Sequence, residues 1–450
     1  MSTALHRLDI AALRAALRDG LTARHVTDAM LDRTAALNPS LHLLVELWPE
    51  AARLRAEALD RAGTGHTPLW GVPLAHKDIF ARQHRQPSCG VADATGMAPL
   101  PPAPVLELLE RAGGVELGVV NLAEFALGTT GTNAFFGNVG NPWNVAHCSG
   151  ASSSGSAALV AAGVAWGSLG TDSGASCRVP ASFCGVVGFM PTHGALSTEG
   201  VFPLAWSLDT VGLLARSVKD CEILFAALHT APPAPRARAV IGVPKRYYGE
   251  HAVPEVLAAW HDAARVLEAA GHRVIEVDVI ETPEIRTLTR LIMRTEAAAV
   301  HRQAMQIRPQ NYPLAVRKFI TGGEGLLAVD YVDALRLRAV LLRQALAVNF
   351  AEADVLLTPT CPVLPPRYDA IDNPADAAAW RVVALLAHCT QPASYLGLPA
   401  VSVPFALSPA GLPIGVQLIA RPRCETTLFM AANSLQRSWQ SLAVWPECAP

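Results

Sequence analysis

The stretch that decides the fold is CSGASSSGSAALVAAGVAWGSLGTDSGASCRVPASFCG, which covers residues 148–185. It contains two loops of small residues, 149–156 and 170–176, on either side of an apolar run. The run over 157–166 predicts a short helix that is buried on all sides, because it offers no polar face. Such a stretch is typical of a protein interior.

Charge is almost absent around this stretch. Asp172 and Arg178 are the only Asp, Glu, Lys or Arg residues between 141 and 198. A serine hydroxyl is a weak nucleophile until a base lies beside it, and successive N–H groups of a glycine-rich turn can bind an oxyanion. The loops therefore fit a buried serine nucleophile. A Ser/Gly linker is disfavoured, since linkers are not flanked by apolar, uncharged sequence.

The composition narrows the class of protein. The chain has 450 residues, of which 51% are hydrophobic and 16% charged, with a net charge of −2. This balance gives no electrostatic basis for nucleic-acid binding. Nine scattered cysteines without a C-x-x-C pair suggest a reducing, cytoplasmic location. No signal-peptide or membrane-spanning pattern is apparent, so we expect no membrane partner.

The basic residues are almost all arginines: 32 of 36, against four lysines. One of those lysines, Lys77, falls in the apolar run Trp70–Phe80, which predicts a strand. Since the chain otherwise uses arginine for its positive surface, a lysine inside a strand is a candidate functional residue.

Strands alternate with helices along the chain, which predicts an α/β fold. Strands are expected at 41–47, 70–80, 115–120, 239–243, 273–279, 355–360, 400–404 and 414–419, with one more after 185. Helices are expected at 5–20, 22–37, 49–63, 105–111, 157–166, 217–228, 254–270, 425–437 and in most of 285–348.

Several breaks are expected between these elements. Asn38-Pro39 should stop the second helix, and 231–235 is a Pro-rich linker. Loops are expected at 309–325 and 366–380. We expect residues 1–65 to form a helical layer packed on a catalytic region of residues 66–450, within one compact domain. The N-terminal layer is also the candidate contact in a homodimer.

Three ordered motifs contain the candidate catalytic residues. They are His76-Lys77-Asp78, the loop 150–156 and the segment 170–180, so Lys77 and Ser152 are 75 residues apart and Ser152 and Ser176 are 24 apart. The sequence in these motifs is similar to that of the amidase signature family. Further matches are at 141–144, 183–185, 207–209 and 412–418, and the similarity extends over about 5–440.

The resemblance implies a central mixed sheet with helices on both faces, and a Ser-Ser-Lys catalytic triad. Ser176 would be the nucleophile, and Ser152, on a cis peptide, would pass its proton to a neutral Lys77. A free lysine has a pKa near about 10.4, and burial in an uncharged site lowers it. Ser173, Gly174, Ala175 and Ser176 would supply the oxyanion hole through their backbone N–H groups.

The resemblance also implies supporting and substrate-contacting roles for residues near the triad. Asp172, Arg178 and Ser153 would support the catalytic loops. Candidate substrate contacts are Gly128, Thr129, Phe135 and Trp206. Ala151, Ser154 and Ala175 replace glycines of the family pattern. A side chain at such a position has an energetic cost wherever φ is positive.

The expected activity is hydrolysis of a C–N bond in a small amide, anilide, urea-like or carbamate (urethane) substrate, without a cofactor. Within the family, residues 307–311 and the stretch that follows through about 348 are most similar to bacterial amidases of biuret-like, anilide or carbamate substrates. The alternative is the glutaminase subunit of a tRNA-dependent amidotransferase, which would need a partner protein. A third alternative, a silent binding module, is disfavoured by the intact triad.

Other chemistry is less well supported. His76 and His193 lie near the motifs, but no Gly-x-Ser-x-Gly elbow accompanies them. The fourteen histidines show no metal-ligand spacing, so we expect no metal. The run 128–131 lacks the Gly-Lys-Ser/Thr ending of a phosphate loop. Cys177, next to the candidate nucleophile, is expected to be a packing residue.

Overall fold

The computed structural model describes residues 5–441 apart from 64, 66, 95, 230–237, 282 and 372–375, and also 445, 446 and 448. The expected linker at 231–235 lies outside the described residues. The strands are β1 Leu44–Leu47, β2 Pro73–Lys77, β3 Val115–Val120, β4 Gly167–Asp172, β5 Val187–Met190, β6 Thr210–Ala215, β7 Val240–Pro244, β8 Arg273–Val277, β9 Val355–Pro359, β10 Ala400–Leu407 and β11 Pro413–Ala420.

The helices follow the same order along the chain. They are α1 Ile10–Arg18, α2 Ala23–Leu41, α3 Pro49–Ala62, α4 Pro104–Arg111, α5 Ser154–Ala161, α6 Arg178–Cys184, α7 Val218–Leu228, α8 Pro254–Ala269, α9 Pro283–Ile307, α10 Leu314–Glu324, α11 Ala328–Val348, α12 Tyr368–Ile371, α13 Ala377–Leu385, α14 Gln391–Leu396 and α15 Glu425–Ser441. Among the described helices, none is long and apolar enough to cross a membrane.

All the strands just given belong to one mixed sheet, in the order β1-β3-β2-β4-β6-β5-β10-β11-β9-β7-β8. Strand β2 runs parallel to both β3 and β4, and β7 runs parallel to both β8 and β9. The remaining pairs are antiparallel. The predicted α/β fold with a central mixed sheet is confirmed.

Helices cover both faces of this sheet, as two neighbouring residues of β5 show. A Cβ on Gly188 would lie 2.3 Å from the Cys177 carbonyl oxygen, at the start of α6. The Phe189 ring instead contacts Phe429 of α15, with ring centroids 4.6 Å apart. Successive side chains of a strand point to opposite faces. Helices α6 and α15 therefore lie on opposite sides of the sheet.

The N-terminal residues pack on the same sheet. Strand β1 pairs antiparallel with β3 at the edge, and α2 and α3 contact the neighbouring strands. The division into a helical layer of residues 1–65 and a catalytic region of residues 66–450, within one compact domain, remains a prediction.

The expected stop at Asn38-Pro39 was wrong. Helix α2 continues through Pro39 to Leu41, and His42 then ends it with a left-handed φ of 49°. The Asn38 side chain fixes this turn, because its Oδ1 accepts the Leu44 N–H at 2.8 Å. The last turn, which contains Pro39, packs on the core through the buried Leu37 and Leu41. The expected strand over 41–47 consequently starts only at Leu44.

The expected loops at 309–325 and 366–380 were also partly wrong. Helix α10 occupies most of the first. A Cβ on Gly323 would lie 2.0 Å from the Arg294 carbonyl oxygen, so glycine allows α10 to contact the α9 backbone directly. In the second, α12 and the start of α13 are helical. The helix expected over 157–166 ends at Ala161, because Gly163 turns the chain with φ +70°.

A prediction concerns Gly155, where α5 approaches β3. A Cβ there would lie 2.2 Å from the Asn121 carbonyl oxygen. Overpacking costs about 1–3 kcal/mol or more, so Gly155→Ala should lower the thermal unfolding midpoint by several degrees or prevent folding. The matched control is Gly325→Ala, where nothing lies within 4 Å and φ is −91°. Equal midpoints for the two variants would contradict this packing.

Candidate active site

The site is built around Lys77, the last residue of β2. Its side chain is fully buried. Its amine Nζ lies 2.8 Å from Ser152 Oγ, 2.9 Å from Thr171 Oγ1 and 3.2 Å from Ser153 Oγ. No carboxylate forms an ion pair with it in the described part of the chain. The lysine is therefore held by three hydroxyl groups alone.

Burial changes the protonation of this lysine. It lowers the pKa of Lys77 to about 8, and the charges of Asp209 and Asp172 only partly oppose the shift. Removal from water disfavours the charged amine. A substantial fraction of Lys77 is thus neutral at mildly alkaline pH.

Two loops place the serines beside Lys77. Ser152 lies just before α5, and Ser176 lies just before α6. The backbone N–H of Ser152 donates to Ser176 Oγ at 3.4 Å, and the N–H of Ser153 donates to the Ser176 carbonyl at 3.2 Å. Ser176 is partly exposed, whereas its neighbours in 151–175 are buried. The three predicted triad residues are therefore brought together, and Ser176 faces outward.

Backbone donors surround Ser176. In the part of the chain that the structure describes, the N–H groups of Ser173, Gly174, Ala175 and Ser176 donate to no protein acceptor. Asp172 Oδ2 instead accepts the next N–H, from Cys177, at 3.1 Å. Backbone N–H groups without a partner are uncommon inside proteins. The loop thus presents four free donors beside a serine hydroxyl.

The turn before Ser152 differs from what the resemblance implied. The structure has no cis peptide bond among the described residues. Gly150 and Ala151 reverse the chain instead, with φ of +83° and +43°. Ala151 is the one replaced glycine that adopts a positive φ; Ser154 and Ala175 do not.

A buried ion pair holds the second loop. The Arg178 guanidinium donates to both Asp172 oxygens, from Nε at 3.0 Å and from Nη2 at 2.9 Å. Its remaining N–H groups reach the Thr390 carbonyl, Gln417 Oε1 and Ser394 Oγ. Burial alone would raise the pKa of Asp172, but the Arg178 charge and hydrogen bonds lower it. Both side chains are fully buried, and every guanidinium donor has a partner.

Sequence reasoning missed three residues of this site. Thr171 completes the contacts of Lys77, and the Gly-Thr-Asp motif could have indicated it. Asp209 accepts the Ser173 hydroxyl at 2.5 Å, and burial raises its pKa. Gln391 packs on the donor loop, with its Cγ 3.4 Å from where a Gly174 Cβ would lie. No local pattern pointed to Gln391, which is 217 residues from Gly174.

The predicted substrate contacts fall into two groups. Thr129 touches the serine loop, because its carbonyl accepts the Ala151 N–H at 2.8 Å, and the exposed Gly128 precedes it. The Phe135 and Trp206 rings are 38% and 50% exposed. In the described chain, neither ring makes a ring contact or hydrogen bond with the Lys–Ser cluster.

The other candidate groups have structural partners. His76 Nδ1 accepts the Leu169 N–H at 3.0 Å, and burial lowers the pKa of His76 to about 4. His193 pairs with Thr210 Oγ1 at 3.3 Å. Cys177 is fully buried, and its Sγ fills the space that Gly170 and Gly212 leave. The described residues contain no group of three or more His, Cys, Asp or Glu side chains able to hold a metal ion.

The buried ion pair generates a prediction. Asp172→Asn leaves the Arg178 charge without its partner, which should cost about 3–5 kcal/mol in free energy of unfolding. Denaturant titration measures this cost. Asp333→Asn is the control, since its pair with Arg336 is exposed and should be worth less than about 1 kcal/mol. Similar costs for both variants would be incompatible with the role given to the pair.

Comparison with known proteins agrees with this geometry. Residues 25–429 match the family described as Amidase. A glutamyl-tRNA(Gln) amidotransferase subunit of Roseiflexus sp. (strain RS-1) is 35% identical over 478 residues, covering 97% of each chain.

Two solved structures are also similar. A crystal structure of an amidase superposes with a TM-score of 0.85 and 31% identity, covering 97% of this chain and 100% of the other. A chain from a vestigial protein complex, linked to the origins of an s-triazine catabolic enzyme, has a TM-score of 0.87 and 29% identity, covering 96% and 98%. The chain therefore belongs to the amidase signature family of hydrolases acting on non-peptide C–N bonds.

Proposed function

We propose that the protein hydrolyses small amides, anilides, urea-like compounds or carbamates through an acyl-enzyme on Ser176. The observation on which this rests is the buried Lys77, which has no counter-ion among the described residues, contacts Ser152 Oγ at 2.8 Å and lies in the same cluster as Ser176. A lysine held in this way can accept a proton near neutral pH, which an exposed lysine cannot.

The three hydroxyls around Lys77 match a neutral amine. A neutral amine has two N–H donors and one lone pair. The Ser153 hydroxyl donates to the Thr171 carbonyl at 3.3 Å, so Ser153 Oγ is left to accept from Lys77. With Thr171 Oγ1 taking the second N–H, the lone pair faces the Ser152 hydroxyl. Lys77 is thus arranged to receive the Ser152 proton.

Acylation uses this arrangement. Ser176 Oγ attacks the substrate carbonyl carbon while its proton passes to Ser152 Oγ, and the Ser152 proton passes to Lys77. The proton then returns by the same path to the leaving nitrogen, the C–N bond breaks and the amine departs. Water attacks the acyl-enzyme in the second half, which releases the acid and restores the Ser176 hydroxyl.

The free N–H groups of residues 173–176 would stabilise the oxyanion of each tetrahedral intermediate. They are already in place without a protein acceptor among the described residues, so little reorganisation is needed. One such donor is worth about 3–4 kcal/mol of transition-state stabilisation. Asp209 would hold Ser173, and so the start of this loop, in position.

A second candidate function is that of a glutaminase subunit. Its support is the 35% identity to the Roseiflexus glutamyl-tRNA(Gln) amidotransferase protein along 97% of both chains. Such a protein would release ammonia from glutamine and act with a partner protein. We favour the free-standing amidase over this second function. We also propose that the protein works in a reducing compartment such as the cytoplasm and that it can form a homodimer.

Triad variants test the mechanism. Ser176→Ala should abolish turnover of a nitroanilide or aryl carbamate, and Lys77→Ala should nearly do so. Ser152→Ala should keep some activity, because water can take over part of its proton transfer. Rates come from release of the coloured amine or phenol. More than a few per cent of the wild-type rate in Ser176→Ala would exclude Ser176 as the nucleophile.

The substrate panel separates the two functions. It contains a nitroanilide, an aryl carbamate, biuret and glutamine, and the protein is tested without any partner. Turnover of the anilide, carbamate or biuret supports a free-standing amidase. Activity on glutamine alone, or only after a second chain is added, would replace it with the amidotransferase function.

The pH dependence follows from the pKa of Lys77. Only the neutral amine accepts the proton, and its pKa is lowered to about 8. The value of kcat/KM should therefore rise with pH, with a midpoint near 8, and level off above it. Measurement from pH 5.5 to 10 tests this, with the exposed Lys318→Met variant as control. A value of kcat/KM that is already constant at pH 5.5 would instead indicate a base of lower pKa, such as His76.

A further inference from the structure

Arg286 of α9 is a positive charge held only by neutral groups. Its Nε donates to Gln391 Oε1 at 3.3 Å, one Nη contacts His388 Nδ1 at 3.1 Å, and the other donates to the Ala384 carbonyl at 2.5 Å. A guanidinium has five N–H donors. Three are used, and one N–H on each Nη remains free of any described partner.

The partners of Arg286 bring no negative charge. His388 Nε2 donates to the Tyr247 carbonyl at 3.0 Å, so its Nδ1 accepts from Arg286. Burial lowers the pKa of His388 to about 4, which keeps the imidazole neutral. No carboxylate forms an ion pair with Arg286 among the described residues. No described residue therefore neutralises this charge by direct contact.

The residue that holds Arg286 also contacts the donor loop. Gln391 Cγ and Nε2 lie 3.4 and 3.8 Å from the position of a Cβ on Gly174. Met293 Sδ, from two turns further along α9, lies 3.9 Å from the same point. Helix α14, which begins at Gln391, is fixed through Ser394 by Arg178. One side chain thus separates Arg286 from the loop that would bind the oxyanion.

The same helix adds positive charge. Arg290 and Arg294 follow Arg286 at intervals of four residues, which places them on one face. The structure gives neither of them an ion pair within the described chain. Burial, followed by the charges of Arg294 and Arg286, lowers the pKa of Arg290. The nearby buried Glu296 is already bonded to Ser207 and Tyr331.

We propose that Arg286 is a specificity-determining residue that binds a carboxylate of the substrate a few bonds from the scissile carbonyl. The two free N–H groups, one on each Nη, match the two oxygens of a carboxylate. This inference rests on the proposed amidase function and adds to it a substrate class, amides that carry a carboxylate. A charged hydrogen bond of this kind corresponds to roughly a ten- to hundredfold preference.

The experiment uses matched substrate pairs. Succinyl 4-nitroanilide is compared with butyryl 4-nitroanilide, which places the charge on the acyl side. N-acetyl-4-aminobenzoate is compared with acetanilide, which places it on the amine side. In one pair, wild-type kcat/KM should favour the anionic member at least tenfold. Arg286→Gln should reduce that ratio at least tenfold, mainly through KM, and Arg286→Lys should restore part of it.

Two controls distinguish carboxylate binding by Arg286 from a general effect of charge and from an effect on stability. Arg302→Gln removes an exposed charge from the same helix and should leave the ratio unchanged. The Ala384 carbonyl lies near the end of α13, so Arg286 could serve stability alone. In that case Arg286→Gln would lower the unfolding midpoint and change both members of a pair equally, which would overturn the proposal.

The test also distinguishes this inference from the proposed function. Turnover of the neutral anilide that Ser176→Ala abolishes, but without preference for either anion in wild type, refutes only the carboxylate site. Absence of turnover for these four compounds and for the aryl carbamate and biuret refutes the proposed function. A binding measurement tests the carboxylate site without relying on turnover. Succinate should raise the thermal unfolding midpoint of Ser176→Ala but not that of the double variant Ser176→Ala/Arg286→Gln.

Discussion

The structure depends on one constraint: a lysine amine must remain buried without a counter-ion. Lys77 satisfies it because β2 lies between β3 and β4, deep in the sheet, and because its described contacts are hydroxyl groups. A carboxylate at the same distance would stabilise the charged form and raise the pKa. Asp172 and Arg178, the two charged residues of the stretch 148–185, form an ion pair with each other one loop away.

That ion pair has a second effect, on shape. Strand β4 ends at Asp172 and α6 begins at Arg178, so the pair closes the loop 173–177 at both ends. Arg178 also reaches the carbonyl before α14 and a hydroxyl within it. The loop that presents the free N–H groups is therefore tied to the helix that carries Gln391. Positions that are distant in sequence become one rigid unit.

The sequence predicted the α/β fold, the mixed sheet, and the cluster of Lys77, Ser152 and Ser176. The α/β fold was predicted from alternating strands and helices, whereas the mixed sheet and the grouping of the three residues in one site were implied by the resemblance to the amidase signature family. The features that the sequence did not predict depend on tertiary contacts. Pro39 lies within a helix whose last turn packs on the core through Leu37 and Leu41. Gly323 is part of a helix, and its lack of a side chain allows α9 to pack against its backbone. Gln391 and Arg286 meet only through folding, and Gly150 and Ala151 form a turn that the family resemblance did not imply.

The buried environment of Lys77 has a consequence for how the protein can change. Because desolvation, and not a neighbouring positive charge, lowers the pKa of Lys77, the packing of β2, β4 and α5 sets the strength of the base. A core substitution that admits water near β2 would make Lys77 more basic and more often protonated at neutral pH. Core residues that do not contact the substrate thereby determine the pH range over which Lys77 is neutral. Evolutionary selection for activity at a given pH would therefore change residues of the hydrophobic core.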